Sequence, residues 1–215
     1  MGFQPDSRLN MDLRSLVVGP LMVNTYILID PKTRHAAIID PGAEAVRILS
    51  EVERLNVHPV VILNTHAHGD HIGGNEAIKA ATMAPLAVHR AEAEWLADPS
   101  ANLSDMLGSP IISPPADILL EDNESLHVGE LELKVLHTPG HSPGSVCFVV
   151  NNSVFCGDLV FREGVGRTDL PGGDMGQLVH SIRHRILTLP EDTVLYPGHG
   201  PSTTVGYEKQ TDLFL

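Results

Sequence analysis

The stretch Thr65-His66-Ala67-His68-Gly69-Asp70-His71, continued by Ile72-Gly73-Gly74, carries more potential chemistry than any other part of the chain. Four imidazole and carboxylate side chains, His66, His68, Asp70 and His71, lie within six consecutive positions. The apolar run over 59–64 that leads into them reads as a short buried strand, so a loop at its end can turn several side chains toward one cavity. The small residues Ala67, Gly69, Gly73 and Gly74 leave room for crowding around ions. Neutral imidazole combined with carboxylate suits Zn, Fe or Mn better than Ca or Mg. A merely solvated polar loop would not need this density of ligand types.

Three further places have the same local design. An apolar run over 131–136 leads to His137-Thr138-Pro139-Gly140-His141, one over 153–156 leads to Gly157-Asp158, and one over 193–196 leads to Pro197-Gly198-His199-Gly200. Each puts a histidine or aspartate just past a strand end, beside glycine. Four strand ends delivering ligands of one chemical type are far more specific than any single one. The remaining histidines read differently. His180 and His184 are four apart on a helix but lie opposite its apolar stripe, on a solvated face. His137 precedes its turn and suits a bracing role behind a ligand. His35, His58, His89 and His127 are isolated and read as surface or core residues.

Around these motifs, strands are expected over 25–29, 36–40, 59–64, 86–89, 131–137, 145–150, 153–156 and 193–196. Helices are expected over 43–55, 75–84 and 91–97. A further helix is capped by Asp174, with Gln177 placed as in a capping box and Met175, Leu178, Val179, Ile182 and Ile186 on its apolar face. Hairpins and helical crossovers together indicate a layered α/β or α+β domain. Residues 98–115 hold four prolines and little periodicity, and read as a long surface loop, a lid or substrate wall. Residues 1–10 read as a flexible extension before a single domain over 11–215. Cys147 and Cys156 face each other across a hairpin turned at Asn151-Asn152, and are read as reduced packed thiols.

Composition narrows the function. The 215 residues include 14 basic and 27 acidic side chains, a formal charge of −13, with 4% aromatics. Phosphate-backbone binding needs clustered cations and single-strand binding needs aromatic platforms, so nucleic acid is an unsuitable partner. No apolar run reaches membrane-spanning length. Residues 1–11 lack the apolar core of a secretory signal, which makes the cytoplasm the default location.

The set His66-x-His68-x-Asp70-His71 with His141, Asp158 and His199 resembles the metallo-β-lactamase superfamily, and the resemblance runs from Val17 to the C-terminus. It implies a four-layer αββα sandwich with two divalent metal ions, Zn by preference and Fe or Mn as alternatives, at one edge of the two sheets. His66, His68 and His141 would bind the first ion, Asp70, His71 and His199 the second, and Asp158 both. Asp70 and Asp158 would also orient the attacking water, which two cations acidify toward neutral pH. Aspartate at 158, where many β-lactamases have cysteine, argues against an antibiotic-resistance enzyme. His68, where flavodiiron proteins have glutamate, argues against an oxygen reductase, and Phe161 in place of tyrosine lowers the homoserine-lactonase option.

The stretches Gly157-Asp158-Leu159-Val160-Phe161, Gly166-Arg167-Thr168-Asp169 and Gly198-His199-Gly200-Pro201-Ser202-Thr203-Thr204 are similar to short bacterial glyoxalase II-like hydrolases. They imply hydrolysis of a small-molecule thioester such as S-lactoylglutathione. The glutathione-contacting tyrosines of longer relatives fall on Asp169 and Pro201 here. Arg167 is the residue left to meet a substrate carboxylate, or else to pair with Asp169. Two alternatives share these motifs: a persulfide dioxygenase with one iron, and a hydrolase of another ester or lactone.

Overall fold

The strand Val23–Ile29 is buried at every position, as it must be if both faces of its sheet are covered. Successive side chains alternate between faces, and the packing follows that alternation. Tyr26 and Leu28 point into a core between two sheets, while Ile27 and Ile29 join a separate core under helices.

The computed structural model describes residues 11–211; the expected extension over 1–10 lies outside the described residues. The first sheet is built in spatial order from β1 (Asp12–Val18), β2 (Val23–Ile29), β3 (His35–Ile39), β4 (His58–Leu63), β5 (Leu86–His89) and β6 (Ile118–Leu120). β1 to β3 run antiparallel and β3 to β6 parallel. Helices α1 (Ala45–Leu55), α2 (Gly69–Ile72) and α3 (Asn75–Thr82) lie in the parallel connections. The second sheet holds β7 (Ser125–Val128), β8 (Leu131–His137), β9 (Val146–Val150) and β10 (Ser153–Gly157). A small ribbon of β11 (Val160–Phe161) and β12 (Gly164–Val165) precedes helix α4 (Met175–Ser181), and β13 (Val194–Pro197), β14 (Thr203–Thr204) and α5 (Val205–Gln210) finish the chain. The spatial order of this sheet is β14-β13-β10-β9-β8-β7.

The sheets face each other through Leu28, Ile39, Leu63, Leu133, Phe148 and Phe155. Ile48 and Val52 of α1 and Ile78 of α3 cover the outer side of the first sheet. Leu178, Ile182 and Ile186 cover the outer side of the second. The result is the expected αββα layering, with apolar burial on three interfaces as the main stabilising term.

Several local readings shift. The helix expected over 91–97 is two 3₁₀ segments, Arg90–Glu92 and Glu94–Ala97. The helix expected over 75–84 ends at Thr82, where Met83 takes φ 59. The helix begun at Asp174, whose carboxylate accepts from Gln177 N–H at 2.9 Å, widens into a π turn over Ile182–Ile186, and Met175 on its expected apolar face is exposed. Residues 98–115 are no mere surface loop: Asn102, Ser104 and Ser113 are buried. Asn102 explains this, because its Nδ2 donates to the carbonyls of Trp95 and Ile111, 3.0 Å each, so the segment satisfies its own buried backbone. The 147/156 pair is reduced and buried in the β9–β10 hairpin, with Asn151 at φ 50.

Candidate metal centre

The carboxyl ends of β4, β8, β10 and β13 open on one edge of the sandwich. His66 and His68 follow β4, and Asp70 and His71 sit on the single turn α2. His141 lies in the β8–β9 loop, Asp158 follows β10 and His199 follows β13. The structure brings all seven together. Ligand atoms of His66, His68 and His141 lie within 4.8 Å of one another, as do those of Asp70, His71 and His199, and those of His66, His71 and Asp158. Asp158 stands between the trios: Oδ1 is 3.4 Å from His71 Nε2, and Oδ2 is 3.8 Å from His141 Nε2 and 3.5 Å from His199 Nε2.

Four of the five rings are held from behind, while His68 Nδ1 faces His141 Nε2 at 3.0 Å. His66 Nδ1 meets Thr65 Oγ1 at 3.1 Å, His141 Nδ1 the Arg167 carbonyl at 2.8 Å, and His199 Nδ1 the Leu21 carbonyl at 2.9 Å. His71 Nδ1 is 3.0 Å from Asp40 Oδ2. The carbonyl and carboxylate partners place a proton on Nδ1 and turn Nε2 toward the cluster.

Two buried acids that brace these loops were not read from the sequence. Asp40, with φ 48, accepts Thr65 N–H at 2.8 Å and Thr65 Oγ1–H at 2.7 Å besides holding His71. Glu92, fully buried, accepts Ala67 N–H through Oε2 and Gly144 N–H through Oε1, both at 2.6 Å. It thereby ties the His66–His68 loop to the His141 loop. Asp40-Pro41-Gly42 does repeat the pattern of an acid past a strand end beside glycine, a usable signal. Glu92 has no comparable local mark.

Glycine permits the close approach of these loops. A Cβ on Gly42 would lie 1.7 Å from the Asp70 carbonyl, and one on Gly198 would lie 2.2 Å from Asp158 Oδ1.

The electrostatics divide the cluster. Burial holds His66 well below its ordinary value, holds His68 at about 3 and lowers His141. Burial opposes charge on His71 too, yet Asp158, Asp70 and Asp40 outweigh it and raise the ring well above 6.5. His199 is raised in the same way, its burial outweighed by Asp70 and Asp158. Asp70 and Asp158 are lowered despite burial, mainly by His71.

A cavity of about 390 Å³ opens over the cluster, with Asn102, Leu103 and Met106 of the 98–115 segment in its wall. Arg167 is also in the wall, but its guanidinium is held in two bonds by Asp169, at 2.8 and 2.7 Å. His137 braces the His141 loop through the Pro143 carbonyl at 2.9 Å and stacks on His89. His180 and His184 are exposed and stack on each other.

Residues 18–199 match the metallo-beta-lactamase superfamily (Lactamase_B). "Probable metallo-hydrolase YqgX" of Bacillus subtilis is 42% identical over 208 residues, covering 95% of this chain and 98% of that protein. "Hydroxyacylglutathione hydrolase GloC" of Haemophilus influenzae is 33% identical over 209 residues, covering 95% and 98%. Among solved structures, the BLEG-1 B3 metallo-beta-lactamase aligns with a TM-score of 0.90 at 42% identity, covering 94% of this chain and 99% of the other. TTHA1623 in a di-iron-bound form aligns with 0.82 at 37% identity, covering 94% and 100%.

Proposed function

The chain belongs to the metallo-β-lactamase superfamily of metal-dependent hydrolases, and from that premise we propose that it uses two divalent ions to hydrolyse small thioesters such as S-lactoylglutathione. The observation that carries this reading is the place of Asp158, within 3.8 Å of rings from both trios.

The residues fit metal ions. His66 Nε2 and His68 Nε2 are buried with no hydrogen-bond partner, and His71 Nε2 and Asp158 Oδ1 face each other at 3.4 Å, a costly arrangement that cations would relieve. His66, His68 and His141 would hold one ion, Asp70, His71 and His199 the other, and Asp158 would serve both. His/Asp sets accept zinc, iron and manganese, with zinc the proposed occupant. When bound, such ions acidify water to a nucleophile at neutral pH and polarise a substrate carbonyl.

The chain's own residues complete the chemistry. Asp70 and Asp158, both held as carboxylates, orient the attacking water. The carbonyls of Leu21 and Arg167 and the Asp40 carboxylate keep the His199, His141 and His71 rings aimed forward. The leaving thiol, with an ordinary pKa of about 8.5, departs as thiolate with little need of a protein acid. Leu21, Leu103, Met106 and Leu170 give the cavity the apolar part of its lining. The relative named hydroxyacylglutathione hydrolase supports the thioester assignment, and the second trio supports a dinuclear centre over the single iron of a persulfide dioxygenase.

The test is elemental analysis combined with a panel of S-lactoylglutathione, other acyl thioesters, lactones and a β-lactam, with His66→Ala as background. Two metals per chain and thioester turnover above background are expected. Turnover of lactone or β-lactam alone would move the reading to another ester or amide. One iron per chain with oxygen uptake on a persulfide would replace it with the dioxygenase.

A further inference from the structure

A second hollow adjoins the catalytic cavity. It has a volume of about 250 Å³ and lies between the β1–β2 turn and residues 109–111. The two share Leu21, Gly69 and Asp70 as lining residues, so the hollow adjoins the cavity on the Asp70 side of the cluster. Val18, Pro20, Val23, Ala43 and Ile111 make the hollow apolar, and Asp70 is its one charged lining residue.

The turn beside it is placed with care. Met22 N–H donates to the Gly19 carbonyl at 3.1 Å, and the Leu21 carbonyl accepts from His199 Nδ1 at 2.9 Å. Fixing the Leu21 backbone to a ligand ring leaves its side chain over the cavity, 44% exposed. Met106, which lines the catalytic cavity, is 76% exposed. Large apolar side chains left in water around a cavity mouth point to an apolar ligand.

We propose that this hollow is a subsite for an apolar acyl chain on the substrate, an inference that rests on the ester-hydrolase reading above. A strongly anionic group is poorly served there. Arg167 is the one Lys or Arg among the cavity's lining residues, and it is already held by Asp169. The chain's net charge of −13 adds a general repulsion. The exposed Arg167–Asp169 pair forms a solvent-facing rim of the catalytic cavity and no part of the hollow. The leaving thiol departs across that rim while the acyl group stays in the hollow until the acid is released.

The experiment uses the metal-loaded full chain. Straight-chain acyl thioesters of N-acetylcysteamine, from acetyl to octanoyl, are compared with the matching p-nitrophenyl oxoesters. The specificity constant is expected to rise roughly fourfold per added methylene until the hollow is filled. Leu21→Ser, which keeps the carbonyl that holds His199, should flatten that rise while leaving the metal content unchanged. A rise confined to oxoesters, with no thioester cleaved, would support the subsite and sink the thioester assignment. A flat or falling series in every ester class that is cleaved would overturn the subsite.

Binding gives a readout independent of turnover. Trp95, the one tryptophan of the chain, stacks near His68 with ring centroids 6.2 Å apart. Its fluorescence should report carboxylate products binding more tightly as the chain lengthens. No dependence on length would count against the proposal even if no ester were cleaved.

Discussion

The two halves of the centre look alike in outline and differ in charge. His66, His68 and His141 are neutral rings, and the acid behind them, Glu92, reaches them only through backbone N–H groups. Asp70, His71 and His199 form an ionic set, and the acid behind them, Asp40, touches a ring directly. The first half thus offers lone pairs ready for a cation. The second must exchange protons for a cation. Similar geometry does not make equivalent sites, because burial and neighbouring carboxylates set the protonation state each half starts from.

The strongest way to break the comparison is to remove what the halves share. Asp158→Ala should lower activity by more than about 100-fold, beyond the 10–100-fold usual for groups that only brace a ligand. It should reduce the occupancy of both metals. Loss of one metal alone, by elemental analysis after dialysis, would show that Asp158 serves a single half. Gly198→Ala should act in the same direction without removing a ligand, since the added Cβ meets Asp158 Oδ1 at 2.2 Å and His71 Cε1 at 2.7 Å.

The next test separates the halves. Glu92→Gln leaves an amide N–H₂ facing one of two backbone N–H donors. It should weaken metal at the His66–His68–His141 half by about 10–100-fold and cost about 1–3 kcal/mol of stability. Asp40→Asn should weaken metal at the Asp70–His71–His199 half by a comparable factor. Chelator competition monitored metal by metal measures both. Identical loss patterns for the two variants would mean that the braces act on the centre as one unit.

A smaller effect distinguishes the halves by pH in metal-free protein. His71 and His199 are raised, so the stability they contribute is complete below about 6.5 and is lost as pH rises through their folded values. His66, His68 and His141 are lowered, so stability falls as pH drops below about 6.5 and the unfolded chain takes up protons first. Thermal unfolding of metal-free protein should therefore be most favourable to the fold near neutrality, declining on both sides. Bound metal should flatten the alkaline side, where it replaces the two protons. Histidine signals in a nuclear magnetic resonance titration should show His71 and His199 losing their protons at higher pH than a free imidazole, and His66, His68 and His141 at lower pH. Five rings titrating together would remove the distinction.

What the sequence made legible follows the same division. The seven residues at the centre could be found because each sits next to a strand end and beside small residues, so local pattern and function coincide. The αββα layering was accessible through the resemblance those seven carry, while periodicity alone left several layered architectures open. Glu92 was hidden because it lies 25 positions from Ala67 and 52 from Gly144, the residues it holds, and nothing local marks it. Burial of Asn102 was hidden for a different reason: a polar side chain enters the interior only when the fold supplies carbonyls for it, and the irregular path that brings those of Trp95 and Ile111 to it has no periodicity to read. β1 escaped notice because Asp12, Arg14 and Ser15 mask its alternation, although it pairs with β2 along its whole length.

Cys147 and Cys156 sharpen the comparison from outside the centre. They are buried under α4 with Leu178 and Ile182, and their sulfurs meet Thr138 Oγ1 and the carbonyls of Cys156, Val160 and Tyr196. Burial pushes the Cys147 thiol up to about 12 and Cys156 well above 9. Buried titratable groups thus become neutral where counter-charge is scarce, as in the first half, and stay charged where it is dense, as in the second. At pH 8, far below that value, Cys147 is held as the neutral thiol. Neither thiol should react with a thiolate-selective disulfide reagent in folded protein, and both should react at once in denaturant. Cys147→Ala should cost about 1 kcal/mol in stability and leave metal content and turnover unchanged. Rapid modification of either thiol in the native state would mean that the outer layer opens far more readily than its packing implies.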